Sequence, residues 1–202
     1  MVYRRTERVT AQLVDRRDRI LRAAQERIAL GGFRAAHVAA IAAAADLATG
    51  TVYRYFPSKA DLFAEVLGRI ATQEIEVLGT IAATAGPARD RLAASLRAFV
   101  TRAIRGRRQA YALIAEPVDV ILDSARLDYR QRLGRLFAAI LQDGIAAAEL
   151  PAQDVAVSAA CLVGACIEAL AGPLAPDRTG LEDQGSALIE AIVGFGVRAV
   201  GG

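Results

Sequence analysis

Apolar residues recur at intervals of three and four along most of this chain, which is the period of an amphipathic α-helix. The first such stripe runs over 13–28, and Gly31-Gly32 is where we expect that helix to end. Later breaks are predicted at Gly86-Pro87, Gly106, Pro117, Pro151 and Gly172-Pro173. The pattern predicts an all-α fold of about nine helices without a strand.

Two short helical patterns, 38–45 and 49–56, follow the first helix in close succession. The residues between them predict a tight turn, in which Asp46 is one of the few non-glycine residues that tolerate a positive φ. Ser58 with Asp61 three residues later predicts a capped start for the next, longer helix. Two short helices joined by a tight turn outline a helix-turn-helix.

Charge is distributed unevenly along the chain. Residues 1–60 hold 11 Arg and Lys against 5 Asp and Glu, whereas residues 61–202 hold 14 against 17. This asymmetry predicts a polyanion-binding domain at 1–60, with 1–15 as a basic arm or helix extension, and a second domain at 61–202. All but one of the 25 basic residues are Arg, and the exception is Lys59.

Composition narrows the function classes. Two cysteines do not make a disulfide framework and indicate a reducing compartment. A single histidine, His37, is too few for a His/Cys metal site, and no phosphate loop or nucleophile elbow is present, so we expect neither an enzyme nor a cofactor. The most apolar segment, 155–167, is 13 residues long, so we interpret it as a buried helix of a cytoplasmic protein without a membrane partner.

Particular residues strengthen the helix-turn-helix prediction. Arg19-Ile-Leu, Gly32-Phe33, Ile41-Ala42 and the run Thr49-Gly-Thr-Val-Tyr-Arg-Tyr-Phe-Pro-Ser-Lys59 closely resemble the N-terminal domain of the TetR family of transcriptional regulators. The resemblance covers about 16–67, a third of the chain. It implies a dimer that binds a double-stranded DNA operator and is controlled by a small-molecule effector.

The resemblance also implies roles for individual residues. The second short helix would enter the major groove, where an Arg can read guanine through two hydrogen bonds. Glycine there lets the backbone approach DNA, and the tyrosines and the lysine would contact phosphates. The residues expected to contact DNA are Thr49, Gly50, Thr51, Tyr53, Arg54, Tyr55, Lys59 and His37. Phe56 is expected in the core.

Three positions depart from the family pattern. Asp46 stands where the turn glycine is usual, and Ala48 stands where a serine usually caps the reading helix, so Thr49 is the expected substitute cap. Ala36-His37 replaces a Thr or Ser pair that usually touches phosphate. His37 is then either a phosphate donor or a solvated histidine without a role.

The last two helices are the expected dimer surface. Small residues at intervals of four let two helices approach closely. The final helix is apolar on several sides, so its apolar surface must be buried, either against a partner or within its own chain. The expected interface residues are Ala156, Ala160, Gly164, Leu188, Ile192 and Phe195.

An effector cavity is implied among the fourth to eighth helices. Aromatic or polar residues in otherwise apolar helices are its candidate lining: Phe99, Tyr111, Tyr129, Phe137, Cys166 and Glu168. Glu168 would need Arg102, Arg105 or a cationic ligand as partner if it is buried; otherwise it faces water at the dimer edge.

The leading hypothesis is therefore a ligand-responsive repressor that binds a near-palindromic operator as a homodimer and is released by an effector. The alternative is an architectural or cell-division factor that uses the same DNA-binding domain without an effector, which a filled core would favour.

Overall fold

The computed structural model describes residues 2–117 and 120–201, with side chains from residue 13 onward except at 182 and 183. These residues form nine α-helices and no strand, as predicted. The helices are α1 (Val2–Ala35), α2 (Val38–Ala44), α3 (Thr49–Tyr55), α4 (Lys59–Ala82), α5 (Ala88–Arg105), α6 (Arg107–Ile114), α7 (Val120–Ala146), α8 (Val155–Leu174) and α9 (Leu181–Gly201).

Three local features that the sequence predicts are present in the structure. Gly32 has φ 74° and ψ −175°, which interrupts the helical backbone of α1 there. Asp46 has φ 55°, the left-handed conformation expected of the turn. The Asp61 N–H donates to Ser58 Oγ at 3.1 Å, so Ser58 caps α4.

Helices α1–α3, called the head below, close around one small core. Ile20, Leu21 and Ala24 of α1 and Ile41 of α2 are each at most 1% exposed, and Phe56 after α3 is 2% exposed. Phe56 is thus a core residue, as predicted. Helices α4–α9, called the body, pack mainly as the pairs α4 with α7, α5 with α9 and α7 with α8. Because α4 begins at Lys59, only three residues separate it from α3.

Helix α8 is longer and more exposed than the 13-residue apolar segment suggests. It spans 20 residues with mean hydropathy 2.0, because apolar residues continue beyond Glu168. Among the described residues it is the one helix long and apolar enough to cross a membrane, and 33% of its most apolar stretch is buried in the chain. The interpretation of 155–167 as a buried helix therefore holds for one face only, which packs on the body, while another face is exposed.

Candidate nucleic-acid interface and effector cavity

Helix α3 presents one face to the core and the other to solvent. Val52 is 1% exposed and anchors the helix, whereas Thr49, Gly50, Tyr53 and Arg54 are exposed. This division follows from helical periodicity, because residues one turn apart share a face. A Cβ built at Gly50 would meet no described atom within 4 Å, so the backbone there is open to a macromolecular partner.

The turn between α2 and α3 is held from α1. Arg19 Nη2 donates to the carbonyl of Ala45 and lies 3.7 Å from Asp46 Oδ2. The guanidinium thus fixes the residue that precedes the positive-φ position. The sequence analysis placed Arg19 in the family motif but assigned it no role. Its place in that motif was the one sign in the sequence that this arginine has a function.

The expected cap of α3 is wrong. The N-cap residue is Ala48, in extended conformation, and within the described side chains none caps it. Thr49 already lies inside the helix, so its hydroxyl is one position too late to serve as the N-cap. His37 is the N-cap of α2, is exposed, and makes no capping bond with the residues described.

Three other residues that were predicted to contact DNA are less exposed. Tyr55 is half-buried and packs on the hydrophobic core, and Thr51 is also half-buried. Lys59 lies at the start of α4 with its Nζ 5.1 Å from the centre of the Phe63 ring, a cation–π contact. Of the residues predicted to contact DNA, Thr49, Gly50, Tyr53 and Arg54 therefore form the exposed face of α3, and Thr51, Tyr55 and Lys59 are less exposed.

A buried carboxylate connects the head to the body. Glu116, between α6 and α7, is 5% exposed and accepts hydrogen bonds from the backbone N–H groups of Phe33 (2.9 Å) and Arg34 (3.1 Å). A Cβ at Gly32 would come within 2.7 Å of Glu116 Oε2. Glycine is required there both by its φ and by the close approach of this carboxylate.

Arg126 of α7 completes this junction. Its Nη2 donates to the carbonyls of Ala112 and Glu116, each at 2.5 Å, so it holds the end of α6. Burial lowers the pKa of Arg126 below its usual value, against the opposing charges of Asp123 and Glu116. This junction could not be predicted from the sequence, because Glu116 and its two backbone donors lie 83 and 82 positions apart.

A half-open cavity of about 230 Å³ lies among α4, α5, α6 and α7. Two of the predicted lining residues, Phe99 and Tyr129, line it. Its other described lining residues are Ile70, Glu74, Arg102, Ala103, Arg105, Gly106, Gln109, Ala110, Leu113 and Ile114.

The other predicted lining residues lie elsewhere. Phe137 and Cys166 are buried in the core, outside this cavity, and Tyr111 is half-buried on α6. Burial raises the pKa of the Cys166 thiol to about 12. Glu168 is exposed on α8, so the buried-carboxylate reading is wrong, and neither Arg102 nor Arg105 is its partner.

The partner of Arg102 is Glu74 of α4. Arg102 Nε lies 3.0 and 2.9 Å from the two carboxylate oxygens, and Nη2 lies 2.9 Å from Oε2. The hydrogen bond to Glu74 is the largest influence on the pKa of Arg102 and raises it, against a lowering by burial. This ion pair spans α4 and α5 at the mouth of the cavity.

The predicted dimer residues divide into two groups. Ala156, Ala160 and Gly164 are exposed on α8 and line a groove of about 620 Å³ beside α7, which carries Arg130 and Arg135. Phe195 of α9 is 51% exposed and Leu188 is half-buried. Ile192 is 6% exposed and belongs to the core of its own chain, so it offers little surface to a partner.

Known proteins share both parts of this architecture. Residues 20–66 match the family described as "Bacterial regulatory proteins, tetR family". The HTH-type transcriptional repressor KstR of Mycobacterium tuberculosis is 49% identical over 55 residues, which are 27% of this chain and 25% of that protein. KstR of Rhodococcus jostii is 47% identical over 55 residues, 27% of this chain and 26% of that protein. The chain thus matches about a quarter of the length of these relatives.

Solved structures extend the likeness to the whole fold. The transcriptional regulator FadR from Bacillus subtilis, in complex with stearoyl-CoA, superposes with TM-score 0.71 at 23% identity over 87% of this chain and 96% of that one. RolR in complex with resorcinol gives TM-score 0.71 at 22% identity over 92% and 87%. At these identities the likeness establishes the fold of the body but not its ligand.

Proposed function

We propose that the whole chain is a ligand-responsive transcriptional repressor, on the premise that residues 20–66 match the tetR family of bacterial regulators. It acts in the cytoplasm as a homodimer, binds a near-palindromic operator through α3, and is released when a small molecule occupies the cavity of the body. We assign residues 1–60 to the DNA-binding domain and residues 61–202 to the effector-binding and dimerisation domain.

One observation carries the DNA-binding part: α3 is anchored by Val52 while Thr49, Gly50, Tyr53 and Arg54 face solvent together. A short helix that shows polar groups, an arginine and an open glycine backbone on one face suits the major groove. The excess of basic residues in 1–60 supplies the attraction to phosphates.

The cavity supports control by an effector over the alternative of a DNA-binding factor without one, since its space is lined by buried apolar side chains and a few polar groups. FadR and RolR, which share the fold, were solved with stearoyl-CoA and resorcinol. An effector acts only if it binds the two conformations of the dimer with different affinity.

The exposed face of α8 supports the dimer. Ala156, Ala160 and Gly164 form a smooth apolar surface, and Phe195 of α9 is exposed. Cover by a second copy fits this surface better than cover by lipid, because Arg130, Arg135 and Glu168 line the same groove. Two copies also read more base pairs than one short helix can.

The test is selection of random duplex DNA by the purified protein, followed by measurement of binding to the selected sequence over a salt series. We expect the selected sequence to be an inverted repeat. The logarithm of the binding constant should fall linearly with the logarithm of the salt concentration. Arg54→Ala should relax the preference at one base pair in each half-site and cost about 1–3 kcal/mol.

Arg178→Ala is the matched control, since Arg178 is an exposed arginine in the α8–α9 loop of the body. It should leave both the affinity and the consensus unchanged. Recovery of no consensus, or equal losses in the two variants, would contradict sequence-specific reading by α3.

A further inference from the structure

We propose that the cavity takes a small organic acid, whose carboxylate competes with Glu74 for Arg102 and thereby loosens α4 from α5. The inference rests on the proposed function, since it treats the cavity as the effector site, and it assigns the ligand class and the contact through which the ligand acts.

The walls of the cavity determine the size and polarity of the uncharged part of the ligand. Ile70, Phe99, Leu113, Ile114 and Tyr129 are each at most 6% exposed, so the inner part of the cavity is apolar and partly aromatic. Its volume of about 230 Å³ is below the roughly 300–1,000 Å³ of pockets for drug-sized ligands. A single aromatic ring or a short branched chain suits it, and a long acyl chain does not.

The mouth of the cavity fixes the charge of the ligand. Arg102 and Arg105 stand one helical turn apart on α5, and both are exposed. Among the described lining residues Glu74 is the one acid, so the guanidinium groups outnumber the carboxylates. A planar guanidinium binds a carboxylate through two parallel hydrogen bonds, whereas an amine would meet an excess of like charge.

The Glu74–Arg102 pair is placed so that such a ligand can open it. The side chain of Arg102 is 43% exposed and remains within reach of solvent, whereas that of Glu74 is 15% exposed. A ligand carboxylate that takes over Arg102 leaves Glu74 partly buried without its partner, which is unfavourable unless the carboxylate moves toward water.

A displacement of Glu74 that shifts α4 reaches α3, the proposed reading helix, because the two helices are neighbours along the chain. Glu74 lies on α4, and three residues separate the start of α4 at Lys59 from the end of α3 at Tyr55. Anion binding and operator binding are therefore coupled with opposite sign, and by linkage each lowers the affinity for the other by the same factor.

The test uses small carboxylic acids, from isovalerate to phenylacetate and phenylpropionate, each with its primary amide, and benzylamine as a cation. The readouts are the thermal midpoint of the full-length protein and calorimetric affinity. We expect acids to bind and raise the midpoint, and the amides and benzylamine not to. Arg102→Gln should weaken acid binding roughly 10- to 100-fold, and Glu74→Gln should strengthen it, because no pair then has to be opened.

Arg97→Gln is the matched control. Arg97 is an exposed arginine of the same helix, paired with Glu190 of α9, and it is not a lining residue of the cavity. It should leave acid binding unchanged. If the Glu74–Arg102 pair only supported the fold, Glu74→Gln and Arg102→Gln would weaken binding alike. Equal changes in those two variants, equal binding of amides, or binding of none of the acids would overturn the proposal.

Operator binding is measured separately, with and without the acid that binds best. A protein that binds the acid but selects no DNA sequence refutes the proposed function and leaves the cavity assignment intact. A protein that selects an operator but binds only neutral ligands refutes the present inference alone.

Discussion

The Glu116 carboxylate accepts hydrogen bonds from the backbone N–H of Phe33 at 2.9 Å, across 83 positions of sequence. A second bond from the N–H of Arg34 makes the contact bidentate. Both donors lie just after the interruption at Gly32, so the carboxylate satisfies the N–H groups that the break leaves without helical partners. The Glu116 carboxylate thus helps to orient the head on the body, together with the ion pairs that join Arg17 and Asp18 of α1 to Glu65 and Arg69 of α4.

Removal of this carboxylate should destabilise the protein. Glu116→Ala leaves two backbone donors without their acceptor in a buried place, which should lower the free energy of unfolding by about 2–3 kcal/mol. Denaturant titration followed by circular dichroism measures this. Glu190→Ala, at an exposed carboxylate, should leave the free energy of unfolding almost unchanged; equal losses would mean that Glu116 has no special role.

Addition of a cap to α3 should stabilise the head. Ala48 is the N-cap residue and has extended backbone, so a serine there can accept from the N–H groups of the first turn. Ala48→Ser should raise the free energy of unfolding by about 1 kcal/mol, observed as a higher thermal midpoint. Ala44→Ser, the same change inside α2 at an exposed position, should give no gain.

The turn at Asp46 should discriminate between alanine and glycine. Asp46→Ala puts alanine, which disfavours the left-handed conformation, at φ 55°. It should lower the free energy of unfolding by about 1 kcal/mol. Asp46→Gly relieves the strain and should be the more stable of the two variants. Comparison of their thermal midpoints gives the answer, and a more stable alanine variant would mean that the turn adopts another conformation in solution.

A large side chain on α8 should separate the dimer without unfolding the chain. Gly164 is exposed, and a Cβ there would meet no described atom of its own chain within 4 Å. Gly164→Arg should therefore give a folded monomer, detected by sedimentation, with weakened operator binding. Gly79→Arg on α4 is the control, since a Cβ at Gly79 also meets no described atom within 4 Å; it should stay dimeric.

The two cysteines should differ in reactivity. Burial raises the pKa of Cys166 to about 12, so its thiol remains protonated at mildly alkaline pH, whereas Cys161 is exposed on α8. In the Gly164→Arg monomer, iodoacetamide should modify Cys161 and spare Cys166, as peptide mass spectrometry will show. Both should react in denaturant, which excludes prior oxidation as the reason.

Local signals explain why the head could be predicted from the sequence. Asp46 in the turn, Ser58 before Asp61 and the glycine that ends the regular part of α1 act on residues within a few positions of themselves. The expectation that Phe56 lies in the core is likewise confirmed. Such interactions join residues that are close along the chain, so the amino-acid pattern alone is enough to predict them.

The contacts that join elements could not be predicted in the same way. Glu116 was one acid before a proline, and Glu74 one charge on an amphipathic helix, until packing brought Phe33 and Arg102 to them. The sequence left two alternatives open for Glu168, and the structure favours the exposed one, because the chain leaves that face of α8 uncovered. Periodicity identifies the faces of a helix without identifying what covers each.

The bond at Glu116 places no demand on the side chains of the head that it holds. Its donors are main-chain N–H groups, so the contact does not depend on which side chains follow Gly32. A head grafted onto this body would therefore keep the bond if it kept the glycine. It would also need residues that match Arg17 and Asp18, because these pair with Glu65 and Arg69 of α4.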